Sequence, residues 1–128
     1  MKFRNDKPIY VQIEEYIREN ILNEKLKSDE RVPSIRELAV DMEVNPNTVM
    51  RAYSELQDQN IIYNKRGIGY FIDPKAKSKV LQQEKDKFLG KQLPQVFKKM
   101  ELLDINLQEL ETLYQKHVNK GVDNETIK

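Results

Sequence analysis

Cysteine and tryptophan are absent from the 128 residues, and histidine occurs once, at His117. Without cysteine there is no disulfide framework, thiol nucleophile or thiolate metal site, which fits a reducing compartment. A lone histidine on a solvated helix completes neither a catalytic triad nor a metal site. Carboxylates such as Glu14 and Glu15 read as members of solvated faces, and Gly67 and Gly69, with one residue between them, are turn glycines rather than a phosphate-binding loop. The sequence is therefore not that of an enzyme, and neither a cofactor nor a metal is expected. Long apolar runs are missing too. The start "MKFRNDKPIY" lacks the apolar core of a signal peptide, and nothing approaches the ~18 apolar residues of a membrane span, so a soluble, cytoplasmic protein with no membrane partner is expected.

An excess of one charge is also lacking. The net charge is +1; residues 1–75 carry 12 Lys and Arg against 13 Asp and Glu, and residues 76–128 carry 10 against 8. Any case for an anionic partner rests on distribution instead. From Val44 to Ser54 there is no acid and one base, Arg51, and Lys65 and Arg66 stand side by side. An acid-free stretch in an acid-rich chain hints at a polyanion.

What is present is helical periodicity. With 38% apolar and 34% charged residues, two modest helical cores fit better than one large core around a pocket. A first helix opens at Pro8 and runs to about Leu26, with Ile9, Ile13, Tyr16, Ile17 and Ile21 as its apolar stripe. "SDERVP" breaks it, because Pro33 disfavours helix in the residue before it. "SIRELAVDM" is a second helix, started by Ser34 and Glu37 at capping-box spacing and facing inward with Ile35, Leu38, Ala39 and Met42. Only Glu43 to Asn45 separate it from a third, so the pair crosses steeply as a helix-turn-helix. In the third helix Asn45 is the N-cap and Pro46 the first helical residue. Val49, Ala52, Tyr53 and Leu56 then share one face, and Asn47, Arg51, Ser54 and Asp58 the opposite one. Asn60 is a left-handed stop, "IIY" and "YFI" around "NKRGIG" read as a hairpin, and Asp73-Pro74 closes it. The expected architecture is mainly α with a small β-hairpin, a winged helix-turn-helix over residues 1–74.

Residues 75–128 read as helical throughout. Val80, Leu81, Phe88, Leu89, Leu93, Val96, Phe97 and Met100 recur at three and four residues, with Gly90 and Pro94 expected to kink or split the helix. A last helix opens at Asn106, with Glu109 again at capping-box spacing. So few helices cannot bury their own stripes, and a symmetric homodimer is the economical solution. Leu81, Phe88, Leu89, Val96, Phe97, Met100, Leu110 and Tyr114 are its candidate interface.

The order of elements and four motifs together resemble the GntR family of bacterial transcription regulators, and within it the YtrA subfamily. "PIYVQIEEYIRENI" matches the family's first helix, "VPSIRELAVDM" its second, "VNPNTVMRAYSEL" its recognition helix and "RGIGYFI" its wing. Four positions depart from the usual pattern: Ile35 stands where Glu is common, Glu43 where Gly is common, and Pro46 and Met50 where other subfamilies carry Arg. In a helix-turn-helix the third helix enters the major groove by its front. There Asn47 can pair both edges of an adenine, Arg51 a guanine or a phosphate, and the Thr48 methyl a thymine methyl. The resemblance implies DNA contact by Arg36, Asn45, Asn47 and Thr48, and a wing tip of Lys65, Arg66 and Gly67 at the minor groove. Asn45 can cap, read, or do both. The function so implied is a dimeric repressor on an inverted-repeat operator, often of a neighbouring ABC transporter operon, with its small-molecule effector unspecified. The near-neutral charge keeps one other class open, a winged-helix module that binds protein rather than DNA.

Overall fold

In the computed structural model, residues 2–127 are described, with side chains described as far as residue 121. The chain forms two compact units, residues 1–85 and 86–128.

The first unit begins with α1 (Ile9–Leu22), for which Pro8 is the flanking N-cap residue. The helix ends a turn sooner than its periodicity suggests, since Glu24 turns left-handed at φ 64° and the Leu26 N–H returns to the Asn20 carbonyl at 2.9 Å. Its buried side is also rotated from the expected stripe. Ile13, Ile17 and Ile21 are buried as anticipated, but Ile9 and Tyr16 are exposed while Gln12, Glu14 and Asn20 are buried. Gln12 explains part of the rotation. Its amide accepts from the Arg4 N–H at 2.8 Å and donates to the Arg4 and Lys7 carbonyls at 2.7 and 2.9 Å, pinning the incoming chain to the helix.

Helix α2 (Ile35–Met42) starts with a complete capping box: Ser34 Oγ accepts from the Glu37 N–H at 3.1 Å and Glu37 Oε1 from the Ser34 N–H at 3.3 Å. It stops in a Schellman motif, with Val44 N–H to Ala39 O at 3.0 Å, Glu43 N–H to Val40 O at 3.2 Å, and Glu43 left-handed at φ 56°. Glu43 thus takes the conformation that glycine takes more cheaply, and the tight turn into α3 (Pro46–Asp58) follows. The same device ends α3, where Asn60 has φ 59° and Ile61 N–H reaches Leu56 O at 2.9 Å.

Strands β1 (Ile62–Lys65) and β2 (Gly69–Ile72) pair antiparallel from Ile62↔Ile72 to Lys65↔Gly69. Residues 29–32 run along the other edge of β2: Arg31 bridges Phe71, and Val32 N–H donates to Tyr70 O at 2.9 Å. The edge strand is thereby covered and the wing tied to the start of α2. The core joins Ile13, Ile17 and Ile21 of α1, Leu38 and Ala39 of α2, Val49, Ala52, Tyr53 and Leu56 of α3, and Ile62 and Ile72 of the wing. It also takes in Ala76 and Val80 of α4 (Ala76–Lys87), so the packed unit continues past Pro74 into the next helix.

In the second unit a π-helical turn, Phe88–Gln92, leads into α5 (Leu93–Leu102), and α6 (Leu107–Ile127) follows. The expected interruption at Gly90 and Pro94 takes the form of that turn. Pro94 cannot donate a helical hydrogen bond, and the ladder widens just ahead of it, with Leu93 N–H on Phe88 O. Asn106 Oδ1 caps α6 by accepting from the Glu109 N–H at 2.9 Å. No described side chain from 86 to 121 is buried.

Candidate nucleic-acid interface

All eight residues singled out for DNA contact lie in the first unit, and each is exposed or half-exposed. The structure brings only some of them together. At the front of α3, Asn45 Oδ1 accepts from the Asn47 N–H at 2.8 Å, which confirms the cap and satisfies one of the orphan donors there. Thr48 is half-exposed, with its own N–H on Asn45 O at 3.0 Å. The Asn47 amide group has no partner among the described residues and stays available at the helix front. Arg36, second in α2, is likewise exposed and unpaired among them.

Arg51 is differently placed. Its Nη2 donates to Tyr10 Oη at 3.2 Å, its guanidinium carbon lies 3.9 Å from the centre of the Tyr10 ring, and Nε is 3.9 Å from Glu55 Oε1. Tyr10 was not legible as part of this site, because α1 contributes no reading residue in a helix-turn-helix and the contact spans 41 positions.

The wing tip is a tight turn in which Ile68 N–H donates to Lys65 O at 2.9 Å and Gly67 supplies the positive φ of +80°. Arg66 projects from it with no partner among the described residues, while Lys65 Nζ sits 4.7 Å from the Phe71 ring centre and so rides on the hairpin. Behind the tip, Gly69 holds φ +143°, a backbone conformation that favours glycine, and Arg31 Nε passes 2.9 Å from where a Cβ would stand. Arg31 in turn lies 3.7 Å from Glu37 Oε1. Its contacts with both the wing and the first turn of α2 make it the link between the two, another residue that local pattern did not reveal.

Tyr53 anchors the arrangement from below. It is fully buried, its hydroxyl donates to the Pro33 carbonyl at 2.6 Å, and its ring meets Tyr70 edge-on with centroids 5.2 Å apart. Burial, seconded by the charge of Glu37, raises its phenol well above the usual value, so it stays a neutral donor. The capping hydrogen bond from Ser34, helped by Arg31, lowers the Glu37 carboxyl.

Among the described residues no cluster of His, Cys, Asp or Glu could hold a metal ion, and no helix is long and apolar enough to cross a membrane. A helix-turn-helix with a capped but polar helix front and a basic wing tip defines a winged-helix nucleic-acid-binding protein. The chain belongs to the GntR family of bacterial regulatory proteins, whose model matches residues 9–72, and within that family to the YtrA subfamily. It is 36% identical over 107 residues to the HTH-type transcriptional repressor YtrA of Bacillus subtilis, covering 84% of this chain and 82% of that protein. A crystal structure of a GntR-family transcriptional regulator from Bacteroides thetaiotaomicron superposes with a TM-score of 0.75 at 38% identity, over 89% of this chain and 99% of the other. The DNA-binding domain of AraR, solved in complex with its operator ORX1, matches 56% of this chain and 92% of its own length, with a TM-score of 0.53 at 28% identity. The protein is thus a DNA-binding transcription regulator, not an enzyme.

Proposed function

We propose that the protein is a repressor that binds an inverted-repeat operator as a homodimer in the cytoplasm, with residues 1–74 as reader and residues 75–128 as the dimerising and signal-responding part. The observation that carries this is the front of α3, where Asn45 caps one backbone donor, that of Asn47, while the Asn47 side-chain amide is exposed and has no partner among the described residues. Asn47 reads an adenine edge, Thr48 a thymine methyl, and Arg51 a guanine or phosphate in the major groove. Asn45 caps the helix and meets the backbone beside it. Arg36 takes a phosphate at the start of α2, and Lys65, Arg66 and Gly67 approach the adjacent minor groove. The dimer is supported by the bare apolar side chains of the second unit, Phe88, Leu89, Val96, Phe97 and Tyr114 among them. With so short a C-terminal part, a signal acts by changing the relative orientation of the two readers rather than by filling a deep pocket. The regulated genes include a neighbouring ABC transporter operon, by likeness to YtrA-type regulators.

A footprint on the DNA upstream of the protein's own gene, repeated at several salt concentrations, tests the reading. Two protected half-sites about one helical turn apart, roughly 34 Å, are expected, with affinity falling steeply as salt rises. Replacing Arg36, Arg51 or Arg66 by Ala should cost about 1–3 kcal/mol where the contact is to a base, and lower the salt slope by about one where it is to a phosphate. Equal affinity for this DNA and for random DNA at every salt concentration overturns it.

A further inference from the structure

Tyr10 is the second residue of α1 and Arg51 the sixth of α3, and the two side chains meet at the rim of the hydrophobic core, against which the half-buried Tyr10 packs. A guanidinium has five N–H donors in a planar fork. Here the guanidinium carbon lies over the Tyr10 ring, 3.9 Å from its centre, one Nη2 hydrogen goes to the Tyr10 hydroxyl at 3.2 Å, and Nε is 3.9 Å from Glu55 Oε1. Left over from these contacts are the Nη1 hydrogens and one on Nη2, donors that can meet two acceptors on a guanine edge or two phosphate oxygens.

A free arginine side chain on a helix surface samples many rotamers, and ordering it on DNA opposes binding. Arg51 is 63% exposed, so what restricts its rotamers is its contacts with Tyr10 and Glu55 rather than burial. We propose that Tyr10 is the positioning residue for Arg51: from α1, outside the helix-turn-helix, it holds the guanidinium end-on toward DNA and so helps set base preference. This rests on the DNA-reading function above. Tyr10 needs no contact with DNA for this role, and its effect passes through Arg51 alone.

The test begins by letting the full-length wild type select its preferred duplex from a randomised library. Affinity for that duplex is then measured for Tyr10→Phe, Tyr10→Leu, Arg51→Ala and the Tyr10→Leu/Arg51→Ala double variant. Tyr10→Leu should weaken binding about tenfold, and Tyr10→Phe, which keeps the ring under the guanidinium, by no more than about threefold. In the Arg51→Ala background Tyr10→Leu should change affinity by less than about twofold. Libraries selected by Tyr10→Leu and by Arg51→Ala should relax at the same base pair of each half-site, which a merely structural loss does not produce. If Tyr10→Leu no longer melts cooperatively, Tyr10→Met, nearer in volume, takes its place. Unchanged affinity in Tyr10→Leu, an equal loss in the Arg51→Ala background, or relaxation at a different base pair overturns the proposal. Tighter binding by Tyr10→Leu also overturns it, since the stack would then withhold Arg51 from DNA. A wild type that selects no sequence overturns the DNA-reading function itself, a result distinct from failure of the variants alone.

Discussion

A glutamate in the packed side of α1 is the residue that most departs from ordinary behaviour. Glu14 is 3% exposed, and its carboxyl is pushed up to about 7, first by burial, then by the hydrogen bond and charge of Glu55 across on α3. Arg18 pulls the other way, with Nη2 3.5 Å from Glu14 Oε1 and 2.8 Å from Gln59 Oε1. It is an imperfect partner, because its buried Nε finds no acceptor among the described groups. Below the ordinary carboxylate range both folded and unfolded chains hold the Glu14 proton. As pH rises from there toward about 7, the unfolded chain releases it while the folded one keeps it, so stability falls across that window and levels off above it. At about 1.4 kcal/mol for each tenfold in proton affinity, the loss is a few kcal/mol at most. Unfolding by urea at about pH 5 and about pH 8 should show wild type losing stability relative to Glu14→Gln, whose neutral amide still donates to Glu55. Parallel pH profiles for the two proteins would mean that Glu14 is ionised in the fold. Position 14 shares a helix face with Ile17 and Ile21, but a carboxylate there reads as solvated until the opposing α3 is in place.

At the scale of one element, the front of α3 has a capping job and a proposed reading job that can be separated. Asn45 Oδ1 caps the helix, and in the proposed reading the same residue also meets DNA. Asn45→Ala removes the cap and should cost about 1 kcal/mol of stability as well as affinity. Asn45→Asp keeps an accepting oxygen for the Asn47 N–H and an anion favoured by the helix dipole, so thermal stability should hold, while repulsion from phosphate weakens binding severalfold. Calorimetry beside a DNA titration distinguishes the roles: if Asn45→Asp binds as wild type does, the residue is a cap alone. This helix was almost wholly legible in the sequence, since capping residues, Pro46 and the 3.6-residue period are local signals. So were the Ser34–Glu37 box, the left-handed Asn60 and the hairpin around Gly67. What the sequence hid is contact between elements: Tyr10 under Arg51, Arg31 between wing and α2, Gln12 holding residues 4–7. Those depend on how helices pack, which no spacing within one helix records.

Across the whole molecule, the two units differ in how far they bury their own apolar residues. The first closes a core of fully buried side chains from α1, α2, α3, the wing and the start of α4. In the second, Phe88, Leu89, Val96, Phe97 and Tyr114 are each more than two-fifths exposed. Apolar area left in water at about 25 cal/mol per Å² is a standing drive to association, and a closed symmetric dimer is the arrangement that removes it without open-ended assembly. A charge placed in such an interface must be desolvated twice over by symmetry, so Phe97→Glu should shift the protein from dimer to monomer in analytical ultracentrifugation. Because the first unit carries its own core, the variant's α1–α3 and wing should still fold, observable as retained cooperative melting. Its affinity for an inverted repeat should drop steeply, toward that of wild type for a single half-site, since the second half-site no longer benefits from a linked reader. Wild type and Phe97→Glu sedimenting alike as monomers, with equal preference for full and half operators, would place the exposed apolar residues outside any self-association.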